Sequence, residues 1–287
     1  MFGSRPIREA MIFVALSYLI AVLIALTMPH AELAVMLSAL IPVLSVGIMT
    51  FTVFRRGQRK AMWAGIGLQR AGWRWWPAAI AAPIVVVAIA YGVAVVFGVA
   101  ELRSPAGLLP WLSANGIAFG INVLVAVIVI MGEEIGWRGF MLPRLQSALH
   151  RRSAAVVTGF IHGLFHLPLI LLTTVYENIG SRWIVAPMVV VVITGGGVLY
   201  AWLRDHSGSV WPANVAYVTV NILFGVGASV TIAASPVALE YVAGEGGFAT
   251  AAAVWLIAGA LLLAKSQWRG PVRAAAPAAR DRVPVNA

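Results

Sequence analysis

The sequence predicts an all-α protein, a polytopic membrane helical bundle of about eight transmembrane helices with both termini inside. Three observations lead there. Of the 287 residues, 61% are hydrophobic and only 10% are charged, whereas water-soluble domains carry about 25% charged side chains. The mean hydropathy is +0.92, which leaves too little polar side chain to cover a water-facing body. Apolar runs of about 20 residues, the length that crosses a bilayer, recur from one end of the chain to the other. A soluble enzyme is thereby excluded.

The runs fall near 10–28, 33–54, 77–99, 108–132, 154–175, 183–203, 209–229 and 248–264, and the connections between them are short. The first follows Arg5 and Arg8, but it is too long for a signal-peptide core and no small-residue cleavage site succeeds it, so it is expected to stay in the protein. With the N-terminus inside, every one of the 20 basic residues except Arg103 and Arg182 falls on the cytoplasmic side. The acids Glu32, Glu101, Glu177, Glu240 and Glu245 fall on the other. This segregation is the positive-inside pattern, and gaining or losing one helix would scramble it. The net charge of +10 is therefore a topology signal with some attraction to anionic lipid, and nucleic acid is not needed to explain it.

The longer polar stretches are 55–76, 133–153 and the chain from Lys265. In 55–76 basic residues alternate with Trp63, Trp73, Trp75 and Trp76, the composition of an interfacial anchor. Residues 265–287 are rich in Ala, Pro, Arg and Val without helical period and read as a disordered cytoplasmic tail, leaving 1–264 as one integral-membrane domain. Cysteine is absent. Disulfides, thiolate nucleophiles and Cys-ligated zinc are thus excluded, and chemistry falls to Glu, His, Asn, Tyr and Ser.

Polar groups at membrane depth are costly, so the few present are the candidates for function. After the fourth run stands MGEEIGWRGFMLPRLQ. Glu134 and Arg138, four apart, share a helix face and can pair. Glu133 then points about 100° away, free of the pair, as suits a general base. In the fifth run His162 and His166 are also four apart; on one face they could hold a water or a metal, or bond to neighbouring helices. In the seventh, Asn214, Tyr217 and Asn221 form a polar stripe that could stabilise an oxyanion or bind neighbouring helices. Gly195, Gly196 and Gly197 in the sixth run are expected to serve close packing.

The order of these motifs resembles one family. EExxxR (Glu133, Glu134, Arg138), then HLPL (His166 to Leu169), then GSVWPA leading to Tyr217 and Asn221, is similar to the CPBP intramembrane proteases. These comprise the type II CAAX prenyl endopeptidases and the bacterial Abi-type proteins. The likeness spans roughly 125–225. It implies Glu133 as general base, His166 as its partner on the attacking water, and Asn221 as the third-motif Asn. Tyr217 stands where the family usually has His, and His162 where its common pattern has Phe.

The resemblance implies an intramembrane endopeptidase of the cell membrane, acting on a membrane-embedded or lipidated peptide, with its site near the cytoplasmic face. The cofactor stays open between none and a divalent metal such as zinc. Three accounts of the site follow. Glu133 activates water directly while Tyr217 donates to the oxyanion; Glu133, His162 and His166 hold a metal; or Tyr217 marks a catalytically inactive relative that binds membrane partners or confers immunity. A proton-coupled transporter using Glu133, His162 and His166 is a further class, although no internal repeat accompanies it.

Overall fold

The computed structural model describes residues 4–30, 33–102, 108–174 and 180–268. Glu32, Arg103, Glu177 and the chain from Arg269 onward, all used in the topology argument, lie outside the described residues. Helix follows helix: α1 (Arg5–Thr27), α2 (Leu33–Thr52), α3 (Arg56–Ile66), α4 (Trp76–Val96), α5 (Leu108–Glu134), α6 (Leu142–Leu145), α7 (Arg151–Phe165), α8 (Leu167–Leu172), α9 (Arg182–Ser207), α10 (Trp211–Ser229), α11 (Pro236–Ala243) and α12 (Phe248–Leu263). The one sheet among the described residues pairs β1 (Ala100–Leu102) antiparallel with β2 (Thr231–Ala233), tying the exit of α4 to the exit of α10.

Among the described residues, seven helical segments are long and apolar enough to cross a bilayer. The protein is an all-α, multi-pass membrane bundle. The expected eighth span, 209–229, is helical as α10 but is not among the seven. Asn214, Tyr217, Thr219 and Asn221 lower its apolarity. Ile117, Ile121, Leu124 and Ile128 of α5, spaced three or four apart, are all more than half exposed. An apolar stripe of this kind would be a liability in water and is the expected lipid-facing surface of a membrane helix.

The fourth span differs most from its sequence reading. It does not end at 132 but continues to Leu145, so the first part of the supposed polar stretch 133–153 lies inside the bundle. The continuation Ile135–Met141 is π-helical and every one of its residues is buried. Phe13 of α1 meets Trp137 edge-on at 5.2 Å and Phe140 at 5.4 Å. Glu134 and Arg138 offset part of their desolvation penalty by pairing with each other, which a hydropathy window cannot register. Two other spans are also interrupted. α7 gives way to α8 at His166, with Pro168 at the start of the new helix, and α11 is separated from α12 by the glycines between 244 and 247. Lys265–Trp268, the first residues of the expected tail, form a 3₁₀ turn that buries Trp268.

Small residues set the helix spacing around the site. A Cβ on Gly197 of α9 would lie 2.5 Å from the Cα of Gly159 in α7, and one on Gly163 would lie 2.9 Å from the Cα of Val190. The backbones of α7 and α9 therefore touch across a Gly159–Gly163 pair of the GxxxG type. The basic end is closed by hydrogen bonds among helix ends and the loops beside them. Arg204 donates to the Gly65 carbonyl (2.9 Å), the Trp211 indole to Leu68 (3.0 Å) and Ser209 to Arg70. Within 55–76, α3 is a short helix and Trp63 donates to Thr50 of α2 (3.1 Å).

Candidate active site

The last residues of α5 and the π-helical turn after it form the floor of the site. Arg138 Nη1 donates to Glu134 Oε1 at 2.6 Å, and both side chains are completely buried. The remaining guanidinium nitrogens, Nε and Nη2, have no hydrogen-bond acceptor among the described residues, but the guanidinium lies 4.9 Å from the Tyr200 ring centroid. A cation over an aromatic face is stabilised electrostatically by the ring quadrupole.

One residue earlier, the helical rotation turns Glu133 toward α7. His162 Nε2 lies 2.5 Å from Glu133 Oε2, and the other ring nitrogen, Nδ1, lies 3.2 Å from Arg138 Nη1. The Trp137 indole stacks on the His162 ring at 5.0 Å and 29°. His166, one turn on, places Nε2 at 3.4 Å from His162 Nε2 and 4.0 Å from Glu133 Oε2. From α10, the Tyr217 hydroxyl donates to Glu133 Oε2 across a long 3.4 Å, with its ring stacked on Tyr200 at 5.5 Å. One buried carboxylate thus meets two imidazoles and a phenol drawn from separate helices.

Residues 115–223 match the family model described as type II CAAX prenyl endopeptidase Rce1-like. Over this stretch the chain is similar to the type II CAAX prenyl endopeptidases, a branch of the CPBP intramembrane proteases. No curated protein and no solved structure gives a match. The matched stretch takes in α5 from residue 115, the π-helical turn and α6 to α9, and ends within α10. All seven residues singled out by the motifs lie in it.

Those seven are not equally placed within the bundle. Glu133, His162, His166 and Tyr217 converge, and Glu134 and Arg138 pair directly behind them. Asn221 does not join them, because its side-chain amide donates to the Tyr217 carbonyl of its own helix at 2.9 Å. Asn214, at the buried end of the same stripe, donates to Val127 of α5 at 3.2 Å and works as a fastener between helices. Two neighbours of the site went unread in the sequence. Trp137 sits inside EExxxR, between the residues that the motif picks out. Tyr200 is a phenol near the end of an apolar run, where no stripe like that of Asn214, Tyr217 and Asn221 marks it out.

Proposed function

We propose that this protein is an intramembrane endopeptidase of the CPBP type that hydrolyses a peptide bond of a membrane-embedded or lipid-modified substrate. The observation that carries the reading is the Glu133 carboxylate, 5% exposed at its side chain, with His166 4.0 Å away and itself 18% exposed. That separation accommodates a water within hydrogen-bond reach of both groups, about 2.6–3.2 Å from each. Glu133 takes a proton from this water as its oxygen attacks the scissile carbonyl carbon, and His166 orients it. The Tyr217 hydroxyl donates to the oxyanion that forms. Collapse of the tetrahedral intermediate breaks the C–N bond, and the proton held by Glu133 passes to the departing amine, restoring the carboxylate. Water is consumed and no other co-reactant is needed.

Both termini are proposed to be cytoplasmic and the site to lie near the cytoplasmic face of the cell membrane, a reading supported by the distribution of basic residues. Reporter fusions after Lys60 and at the C-terminus should both read cytoplasmic; disagreement between them would overturn this topology. Asn221 is proposed to serve substrate turnover once its bond to the Tyr217 carbonyl is exchanged for one to substrate.

The second reading, a catalytically inactive relative that binds membrane partners, is favoured by Tyr217 at the usual His position. It predicts that purified protein in lipid cleaves no prenylated or transmembrane peptide. A peptidase assay on such peptides decides between the two, with cleavage that is absent from Glu133→Gln as the outcome expected here.

A further inference from the structure

Glu133, His162 and His166 offer ligand atoms that all lie within 4.8 Å of one another. Two imidazoles and a carboxylate are also the donor set of a familiar class of catalytic zinc site. The surroundings of His162 do not fit that use. A guanidinium has five N–H donors and no acceptor. Arg138 Nη1, 3.2 Å from His162 Nδ1, can therefore only donate, so Nδ1 presents its lone pair and the ring proton sits on Nε2. That nitrogen faces Glu133 Oε2 at 2.5 Å, where an N–H finds an acceptor. In this tautomer His162 has no lone pair on Nε2 to offer a metal.

The opposite tautomer would free Nε2 but set Nδ1–H against an Arg N–H in a buried site, two donors facing with no acceptor between them. Metal-binding histidines nearly always give their second N–H to a carboxylate, carbonyl or water. Here the second nitrogen faces a cation instead, and that cation would also repel a divalent ion beyond the ring.

We infer that His162 is a positioning residue and not a metal ligand, held by Arg138 in the Nε2–H tautomer so that it fixes the Glu133 carboxylate in place. The lock runs in one direction. Glu134 Oε1 accepts from Arg138 Nη1 at 2.6 Å, the second hydrogen of the same nitrogen goes to His162 Nδ1, and His162 Nε2–H goes to Glu133. Trp137 stacked on the imidazole fixes the ring plane. The chain of bonds gives the two adjacent acids separate duties: Glu134 holds the guanidinium, and Glu133 receives the far end of the relay. The effect on turnover rests on the hydrolytic reading of the site, whereas the tautomer and the absence of ligation by His162 do not.

The test uses the full-length protein in lipid with ¹⁵N-labelled histidine, comparing wild type with His162→Gln to pick out the His162 signals, together with zinc content after purification in zinc-supplemented buffer. Glutamine keeps both contacts, its carbonyl oxygen accepting from Arg138 and its amide donating to Glu133, but is a poor zinc ligand. The expected result is Nε2 protonated and Nδ1 unprotonated in the wild type, with zinc content unchanged by His162→Gln. Protonation at Nδ1, a doubly protonated ring, or one zinc per chain lost on His162→Gln would overturn the inference. Where peptidase activity is measurable, His162→Phe should lower kcat by about 10²-fold through misplacement of the base, leave KM near the wild-type value, and be largely rescued by His162→Gln. If no peptide is cleaved but the tautomer is as stated, the hydrolytic reading fails and the inference stands.

Discussion

Glu133 lies between two walls built in different ways. On the α7 side, His162 approaches to 2.5 Å, is fixed by Arg138 at 3.2 Å and is stacked on Trp137. On the α10 side, the Tyr217 hydroxyl reaches only to 3.4 Å and the Asn221 amide is turned back on its own helix. Each polar contact of the first wall forms as the helices pack and needs no ligand. The second wall carries donors whose present bonds are long or local, so a substrate oxygen can recruit them at little cost. Preorganisation is thus concentrated around the proposed base, and adaptability around the place where the proposed reaction would put a peptide carbonyl.

The comparison is broken most severely by removing the link that builds the first wall. Arg138→Met leaves Glu134 buried without its counter-ion, and breaking a buried pair from one side costs about 3–5 kcal/mol. A steep fall in the thermal unfolding midpoint of protein in lipid is expected, with loss of all function. Gly197→Val comes next, because its Cβ would sit 2.5 Å from the Gly159 Cα and must push α7, with His162, away from α9. Overpacking of this kind costs about 1–3 kcal/mol, read by the same unfolding measurement.

The second wall should respond differently, in activity and not in stability. Tyr217→Phe removes one donor to the developing oxyanion and should lower the peptidase rate by about 10²–10³-fold, while the unfolding midpoint stays put. Chelators should have little effect on the wild type. Asn221→Ala is expected to be the mildest, within about 0.5 kcal/mol in stability as a partly exposed substitution, with a rate loss smaller than that of Tyr217→Phe. A stability loss for Tyr217→Phe as large as that for Gly197→Val would erase the distinction between the walls.

The two walls were also unequally legible in the sequence. The i,i+4 spacings of Glu134 with Arg138 and of His162 with His166 place those pairs on common faces by helix geometry alone, and the rotation of Glu133 away from Arg138 follows from the same arithmetic. Asn221 obeyed the same rule of a shared face, yet a side chain on the right face can still bond its own backbone, as this one does. The burial of Ile135–Met141 was illegible for a different reason. Glu134 and Arg138 count against a span residue by residue, and only their mutual bond within a packed core makes the stretch admissible inside the bundle. Tyr200 escaped notice because its role depends on α9 lying against both Arg138 and Tyr217, a tertiary fact that no periodicity in α9 encodes. The missing membership of α10 among the apolar spans was readable in principle, since the stripe that made it interesting is what lowers its hydropathy.

The central claim is that the Glu133 carboxylate is the base of a hydrolytic centre, and the most direct measurement is cleavage of a prenylated carboxy-terminal peptide by purified protein in liposomes, wild type against Glu133→Gln. Glutamine preserves the volume and can still accept from His162, so the bundle should fold as before, which the unfolding midpoint checks. General acid–base groups contribute about 10²–10⁴-fold, and the account predicts cleavage by the wild type that falls by at least the lower of these in Glu133→Gln. Equal cleavage by the two proteins would contradict it, because among the described residues no other carboxylate stands beside His166 to take the proton.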